Sequence, residues 1–255
     1  MRVLPGLARF VFGLFLLALL IAITASLGTR LGVWDVPFGL KVLFPWCVYV
    51  GLAALVLGVL WLIASRVSKE TDNSRWGILG LLGAAALIAV PIYNIVQARI
   101  SPPIHDITTD TEKAPTFVAL LPLREGAENP PNYNGDALVK WKNKTKTVRD
   151  WQKKEYIDIR TIAILTSPSK LFDRARQAAE SMGWDIVAVV PSEGRIEATD
   201  TTFFFGQTDD IAIRVKPAGM GARLDIRSES RNGAADDGRN AERVRDYVKA
   251  LQDTE

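Results

Sequence analysis

Three long apolar runs in the first hundred residues limit what this chain can fold into. They cover residues 7–25, 42–64 and 76–96, and Arg9 is the only charged residue within them. A hydrocarbon core about 30 Å thick needs roughly 20 helical residues, and none of the runs shows the polar face of a water-soluble helix. The runs therefore predict three transmembrane helices in a membrane region of residues 1–100, with the lipid bilayer as their partner.

The first run has one alternative interpretation. Arg2 and Arg9 precede an apolar stretch, as they would in a cleaved secretory signal peptide. A cut after Ala25 would place Ile23 at a position where signal peptides need a small residue. We therefore expect the run to be retained as a helix, and the side occupied by the last domain is the same in either case.

Basic residues are unevenly distributed along the chain. Residues 1–100 contain 8 Lys and Arg against 3 Asp and Glu, whereas residues 101–255 contain 23 against 25. The sequence pI of 9.0 thus reflects the membrane half. The nearly neutral second half gives no support for a nucleic-acid partner.

The same charges indicate an orientation. With the N-terminus inside, five basic residues would be cytoplasmic and four would lie on the opposite side, in agreement with the positive-inside rule. The cytoplasmic set is Arg2, Arg9, Arg66, Lys69 and Arg75, and the opposite set is Arg30, Lys41, Arg99 and Lys113. Three crossings then place residues 101–255 outside. We expect a multi-pass protein of the inner (plasma) membrane with a periplasmic or extracellular domain.

The sequence changes character after residue 100. Pro102 and Pro103 cannot continue a helix, and we interpret residues 101–155 as an extended wrapping segment with a short strand at Phe117–Leu121. A basic stretch follows, in which two tryptophans lie among the basic residues. It comprises Lys140, Trp141, Lys142, Lys144, Lys146, Arg149, Trp151, Lys153 and Lys154. This composition is typical of a solvated loop or an exposed helix; the alternative is a surface that contacts phosphates or anionic lipid headgroups.

Residues 156–255 show the alternation and capping signals of a folded α+β core. Ser167 and Pro168 are typical of a helix start, and Gly183 is typical of a helix end. The predicted strands are 156–165, 184–190, 195–205, 209–216 and 222–231, and a last helix is predicted over about 240–251. The predicted fold is a two-layer α+β domain, an antiparallel sheet with two helices on one face.

The last two predicted strands form a hairpin with one apolar and one charged face. Apolar and charged residues alternate along 210–216 and again along 223–229. In the register that keeps the apolar faces together, Arg214 lies opposite Asp225, a pair worth roughly 0.2–1 kcal/mol. The charged face is either the solvated side of a half-buried sheet or a platform that binds a partner or a polar ligand.

A polar cluster near the start of the last helix also has two interpretations. Helix N-termini favour anions, and the residues around such a site would be Arg227, Ser228, Ser230, Arg231 and Asn240. Asp236 and Asp237 already supply negative charge there. Helix capping with local salt bridges is therefore favoured over anion binding.

Several segments of this domain resemble a known family. They are His105–Asp110, Phe204–Gly206 with Asp209–Val215, Asp225–Ser228, and Ser230–Gly233 followed by Asp236, Gly238, Asn240, Ala241 and Arg243. Over about residues 101–252 the chain is similar to the bacterial domain-of-unknown-function family numbered 1499. Ile157 and Ala235 stand where that family tends to have Pro and Ser, and residues 140–149 resemble an insertion. The resemblance implies a shared fold and frequent N-terminal membrane helices, and it implies no activity.

The residue types present exclude several kinds of site. Cys47 is the only cysteine and His105 the only histidine, which excludes zinc sites with two or more such ligands. Asp209 and Asp210 would face opposite sides of a strand and could not share a proton. The carboxylates within 106–112 match no calcium-loop spacing. We therefore predict no catalytic residue, no metal and no cofactor.

Two functions remain open at this point. The first is a non-catalytic binding or assembly module of the cell envelope that recognises an envelope protein, a lipid or a small polar ligand. The second is a membrane-surface hydrolase or transferase that uses Asp and Arg residues of the motif segments. The sequence has no Walker-type loop or metal cluster, which favours the first. The candidate binding surface comprises His105, Asp106, Asp110, Asp209, Asp210, Arg214, Asp225, Arg227, Ser228, Arg231 and Asn240.

Overall fold

The structure is a computed structural model that describes residues 3–68 and 74–254. Arg2 and Lys69, which contribute to the predicted orientation, lie outside the described residues. Two compact units make up the chain: Met1–Val96 with Phe203–Gly206, and Gln97–Thr202 with Gln207–Glu255.

Three long helices form most of the first unit. They are α1 (Val3–Arg30), α2 (Phe44–Ser68, preceded by a π-helical segment Phe38–Leu43) and α3 (Ser74–Ile100). The runs 7–25 and 76–96 lie inside α1 and α3, and the run 42–64 begins in the π-helical segment and continues through α2, so the three predicted helices are confirmed. Each is long and apolar enough to cross a membrane.

The outward surfaces of these helices suit lipid rather than water. Leu20, Val56 and Leu82 are about 60% exposed, as are many of their apolar neighbours. Small residues occupy the helix contacts, where they allow backbones to approach. A Cβ atom at Gly80 would lie 2.8 Å from the Cα atom of Phe12, so only glycine fits where α3 meets α1.

An antiparallel sheet forms the centre of the second unit, which confirms the predicted α+β class. The strand order is β1-β8-β7-β6-β5, and β4 pairs with the same edge of β8 as β1. A separate β2–β3 hairpin and three helices complete the unit. The strands are β1 Asp106–Thr108, β2 Leu138–Trp141, β3 Lys144–Thr147, β4 Ile162–Ile164, β5 Asp185–Val190, β6 Arg195–Thr201, β7 Thr208–Ala218 and β8 Gly221–Ser230, and the helices are α4 Val148–Glu155, α5 Pro168–Ser181 and α6 Arg239–Gln252.

Four segments differ from the sequence prediction. The predicted strand 195–205 ends at Thr201 as β6, and residues 203–205 belong to the turn that follows it. The predicted strand 156–165 is reduced to the three residues of β4, because the backbone turns after Tyr156 to end α4. The predicted strand at 117–121 is wrong: its N–H groups bind a carboxylate, described below, and a 3₁₀ helix, Leu121–Arg124, follows. The basic stretch forms the β2–β3 hairpin and α4, in which Trp151 is buried against Trp141.

The apolar core lies between the sheet and the helices α5 and α6. Ile196, Ile211 and Ile226 project from three neighbouring strands toward Leu171 of α5 and Tyr247 of α6, and all five are fully buried. Each such side chain contributes about 1.5–3 kcal/mol when it leaves water. This face of the sheet is the one that the alternation predicts to be buried.

The opposite face of the sheet is buried as well. Residues 109–135 run across it, and Phe117 and Leu120 pack on Ala212. Asp225 and Arg227 on this face are no more than 1% exposed. The interpretation of this face as the solvated side of a half-buried sheet is therefore wrong, because the wrapping segment excludes water from it.

The tight β5–β6 connection depends on glycine. Gly194 has φ +65°, and a Cβ atom there would lie 2.1 Å from the carbonyl oxygen of Val215. The same glycine accepts a hydrogen bond of 2.7 Å from the backbone N–H of Val215. A side chain would therefore add a steric clash to the ordinary cost of a left-handed backbone.

We expect Gly194→Ala to lower the free energy of unfolding of the second unit by about 3 kcal/mol, from backbone strain and displacement of β7. Gly126→Ala is the matched control, because Gly126 has φ +81° with nothing within 4 Å of its Cβ position. Its expected cost is about 1 kcal/mol. Urea unfolding of the full chain in detergent, followed by near-ultraviolet circular dichroism, measures both, and equal costs would contradict the clash.

Candidate functional site

The candidate residues do not form one surface, because alternation along β7 and β8 divides them between the two faces of the sheet. Asp106, Asp210, Arg227 and Arg231 lie beneath residues 109–135, in what we call the wrapped-face network together with Arg124 and Glu229. Asp209 and Ser228 lie beneath α6, in what we call the helix-face network together with Asp200 and with Asn240 and Arg243 of α6 itself. Asp209 and Asp210 thus point to opposite faces, as predicted.

Arg227 is the centre of the wrapped-face network. Its guanidinium forms a bidentate pair with Asp106, Nε to Oδ1 at 2.9 Å and Nη2 to Oδ2 at 2.8 Å. Nη2 also donates to Glu229 at 3.1 Å, and Nη1 donates to the carbonyl oxygens of Pro131 and Pro115 at 2.9 and 3.3 Å. An arginine side chain has five N–H donors. All five of them in Arg227 are therefore used within the domain.

Asp210 is the second centre of the same network. Arg231 Nε donates to its Oδ2 at 3.0 Å and Nη2 donates to its Oδ1 at 2.8 Å, and Arg124 Nη1 also donates to Oδ2. Arg124 also lies 3.2 Å from Glu229, which joins Asp210 to the Arg227 pair. The network thus contains three guanidinium groups and three carboxyl groups, so its charges balance when all are ionised.

An aromatic ring covers the network. The guanidinium carbons of Arg227 and Arg124 lie 4.5 and 5.1 Å from the ring centroid of Phe117. Guanidinium groups are weakly hydrated and stack on aromatic faces, so the ring replaces water over two buried cations. The wrapping segment therefore contributes apolar cover as well as Arg124.

A further ion pair on this face, between Arg214 and Asp225, confirms the predicted register of the hairpin. Arg214 lies opposite Asp225, and its Nη2 donates to that carboxylate at 2.8 Å and to Asp110 at 3.2 Å. Thr161 donates to the other Asp225 oxygen at 2.6 Å. Asp225 is fully buried, whereas the side chains of Arg214 and Asp110 are partly exposed at the domain surface.

Arg243 of α6 is the centre of the helix-face network. It binds Asp209 at 2.7 Å, Asp200 at 2.8 and 2.9 Å, Ser228 Oγ at 3.0 Å and Asn240 Oδ1 at 2.6 Å. These contacts again use all five N–H donors of the guanidinium. They fasten α6 to β6, β7 and β8.

The start of α6 is held by buried side chains. The carboxylate of Asp236 accepts the backbone N–H groups of Gly238 and Asn240 at 2.9 and 2.8 Å. The amide of Asn240 donates to the backbone oxygen of His105 at 2.9 Å and to Ser230 Oγ at 3.0 Å. These contacts favour the helix-capping interpretation. The His105 ring lies at the surface, with Nδ1 3.4 Å from the carbonyl oxygen of Ala234.

Sequence reasoning missed three residues on which these networks depend. Arg124 and Glu197 were not singled out, and Arg243 appeared only among the family segments. Glu197 is fully buried and accepts the backbone N–H groups of residues 118–120 at 2.9–3.1 Å. The one available signal in the sequence was that Glu197 lies between Ile196 and Ala198, two apolar residues of β6. A charged residue in a buried strand requires a partner.

One carboxyl group of the wrapped face has a strongly altered affinity for protons. Burial raises the pKa of Glu229 to about 8, and the nearby Asp106 carboxylate adds to the rise while Arg227 and Arg124 oppose it. The folded state therefore binds a proton at Glu229 more tightly than the unfolded chain, whose value is near 4.5. Its contribution to stability is complete below pH 4.5 and is lost as the pH rises toward 8.

The geometry gives these groups little capacity for chemistry. Their carboxylates are occupied by arginines or backbone N–H groups, and neither of two surface clefts, of about 220 and 470 Å³, is lined by a candidate residue. Among the described residues, no three His, Cys, Asp or Glu side chains are arranged to hold a metal ion. The arrangement is that of internal ion pairs that join secondary-structure elements.

We expect Glu229→Gln to flatten the decline of stability between pH 4.5 and 8, because the amide cannot release a proton into the buried network. Urea unfolding of wild type and variant at pH 5 and pH 8 tests this, with Glu128→Gln as an exposed control. The free energy of unfolding of Glu229→Gln, relative to that of wild type, should be higher at pH 8 than at pH 5. A difference that is independent of pH would show that Glu229 does not titrate in this range.

Comparison with known proteins agrees with the resemblance seen in the sequence. A family model described as "Protein of unknown function (DUF1499)" matches residues 106–251, from β1 almost to the end of α6. No curated protein matches the chain. The matched range covers more than half of the chain and includes every member of both networks. This chain belongs to the DUF1499 family of proteins of unknown function.

Proposed function

We propose that this protein is a membrane-anchored, non-catalytic binding or assembly module of the bacterial cell envelope. Its helices α1–α3 hold it in the inner (plasma) membrane, and its sheet domain faces the periplasm or the cell exterior. Its partner is an envelope protein or a small polar ligand bound at the domain surface.

One observation carries the non-catalytic part of the proposal. Arg227 and Arg243, the two buried arginines of the family segments, each direct all five N–H donors to groups of the same domain. A guanidinium that recognises a substrate carboxylate or phosphate needs free donors aimed into a cavity. These two residues are therefore better suited to holding the fold than to binding a reactant.

The same observation weighs against a membrane-surface hydrolase or transferase. Such an enzyme would need Asp210, Arg214, Arg227 and Arg231 to converge on a pocket. In the structure Arg214, Arg227 and Arg231 are each paired with a different carboxylate of the domain, Asp225, Asp106 and Asp210 respectively. A substrate could reach Arg227 only after the wrapping segment had left the sheet.

We expect Arg227→Met to destabilise the domain by about 3–5 kcal/mol, because it leaves Asp106 and Glu229 buried without their main partner. Arg223→Met is the matched control on the same strand. The Arg223 side chain is 35% exposed and lies 3.9 Å from Asp225, so its expected cost is below about 1 kcal/mol. Urea unfolding of the full chain measures both.

The structural role of the two networks also predicts how their variants behave in cells. In a strain that lacks the gene, each network variant should rescue the deletion phenotype only to the extent that it yields folded protein. The amount of folded protein is measured by immunoblot and protease resistance. Arg231→Lys, which keeps one charge beside Asp210, is the sharpest member of the series. If it abolishes rescue while its protein level and stability equal those of wild type, the purely structural role assigned to the network is wrong.

The orientation is tested by fusions in a bacterial host. Alkaline phosphatase attached after residue 255 should be active, and green fluorescent protein at the same point should be dark, because the basic residues favour an internal N-terminus and three crossings. Fusions after Ser68 are the control and should give the reverse pattern. A fluorescent C-terminal fusion would place the domain in the cytoplasm.

A further inference from the structure

The β6–β7 loop presents an unusual group of side chains. Three consecutive phenylalanines, Phe203 to Phe205, occupy its tip, and Phe203 and Phe204 are 79% and 63% exposed. Their rings pack against each other edge to face, with centroids 5.5 Å apart. Two large apolar rings held in water at a loop tip are costly, and such groups commonly mark a protein or membrane contact.

The neck of this loop is closed by hydrogen bonds, so its conformation is defined. The backbone N–H of Thr202 donates to the Gln207 carbonyl at 2.8 Å, and the Gln207 N–H donates to Thr202 Oγ1 at 3.0 Å. Gly206 takes φ +63°, which lets the chain reverse directly after the third phenylalanine. The tip is thus a four-residue projection, Phe203–Gly206, on a rigid base.

The loop lies at the end of the sheet where the chain enters from α3. Thr208, at the base of the loop, pairs with Thr201, and its carbonyl accepts the N–H of Arg231. The neighbouring residue Ser230 donates its N–H to the backbone oxygen of His105 at 3.0 Å. His105 is five residues beyond Ile100, the last residue of α3. Five residues span at most about 18 Å, so this end of the sheet is tethered close to the end of the helix.

Contacts of the tip give a second indication: the guanidinium carbon of Arg30 lies 5.5 Å from the ring centroid of Phe203, and the ring centroids of Phe44 and Phe205 are 5.4 Å apart. The tip Phe203–Gly206 is grouped with the three long helices, whereas the residues on both sides of it are grouped with the sheet. The opposite end of the hairpin provides a contrast. Met220, in the β7–β8 turn, is 94% exposed and belongs to the sheet unit.

We propose that the tip Phe203–Gly206 inserts into the interfacial region of the bilayer that holds α1–α3, and so fixes the sheet domain against the membrane surface. The inference rests on the proposed membrane anchoring. The occupant of this site is lipid, because the tip is apolar and the chain itself holds it near the bilayer. Phenylalanine rings fit the boundary between headgroups and acyl chains.

Spin labels placed on the full chain in proteoliposomes test this proposal. Cys47 is the only cysteine, so a Cys47→Ser background allows single labels at Phe204→Cys, Met220→Cys and Leu82→Cys. Accessibility to lipid-soluble oxygen and to a water-soluble nickel chelate reports the depth of each label. We expect the oxygen-to-nickel ratio to be severalfold higher at 204 than at 220, and highest at 82, in the middle of α3.

The controls separate the two proposals. If the label at 204 is as accessible to nickel as the label at 220 while the label at 82 remains in lipid, the loop inference is overturned and the anchoring stands. If the label at 82 is also in water, both fail. Adding Phe203→Asp to the 204-labelled chain should move that label into water, whereas Phe203→Leu should leave it in lipid; no movement with Phe203→Asp would also overturn the inference.

Discussion

The bidentate ion pair between Arg227 and Asp106 is the contact on which the arrangement of the sheet domain depends. Asp106 follows α3 by six residues, and its pairing with β8 fixes the first strand at the edge of the sheet. The remaining donors of Arg227 hold carbonyl oxygens of the segment that crosses the sheet. One side chain thus joins the strand after the membrane region, a central strand and the wrapping segment.

Burying so many charges has a specific structural consequence. Desolvation offsets most of the attraction within a buried ion pair, so these networks are weak evidence for net stability. They are stronger as determinants of register. A slip of one residue in β8 would turn Arg227 and Glu229 toward Tyr247 and the apolar core, and would turn Ile226 toward the charged residues of the wrapping segment. The networks therefore exclude alternative pairings that an all-apolar sheet would tolerate.

The functional consequence is a division of roles within the domain. The polar residues that characterise the family segments serve mainly the interior, where they join β6, β7, β8, α6 and the wrapping segment. In the proposed function, recognition is then left to the exposed surface, to which the aromatic tip of the β6–β7 loop belongs. If the proposed contact of this loop with the bilayer holds, the domain would be fixed at two points and would present one side to the partner that the proposed function requires.

The sequence by itself determined the elements with strong periodic signals. Three apolar runs of about 20 residues specify helices because the bilayer demands that length, and strict alternation in β7 and β8 specifies both the hairpin and the Arg214–Asp225 pair. It also separated Asp209 from Asp210, since neighbours on a strand face opposite ways. The short strand β4 and the 3₁₀ helix at 121–124 lacked such signals, because tertiary contacts rather than local pattern set their conformation.

Only the tertiary structure decided the environment of the charged face. Alternation shows which residues share a face, but it cannot show what covers them. The cover comes from residues 109–135, which have no regular period, and from Arg124 and Glu197, whose partners are distant in sequence. Because burial depends on that long-range packing, a set of residues that alternation assigns to the surface became the interior of the domain.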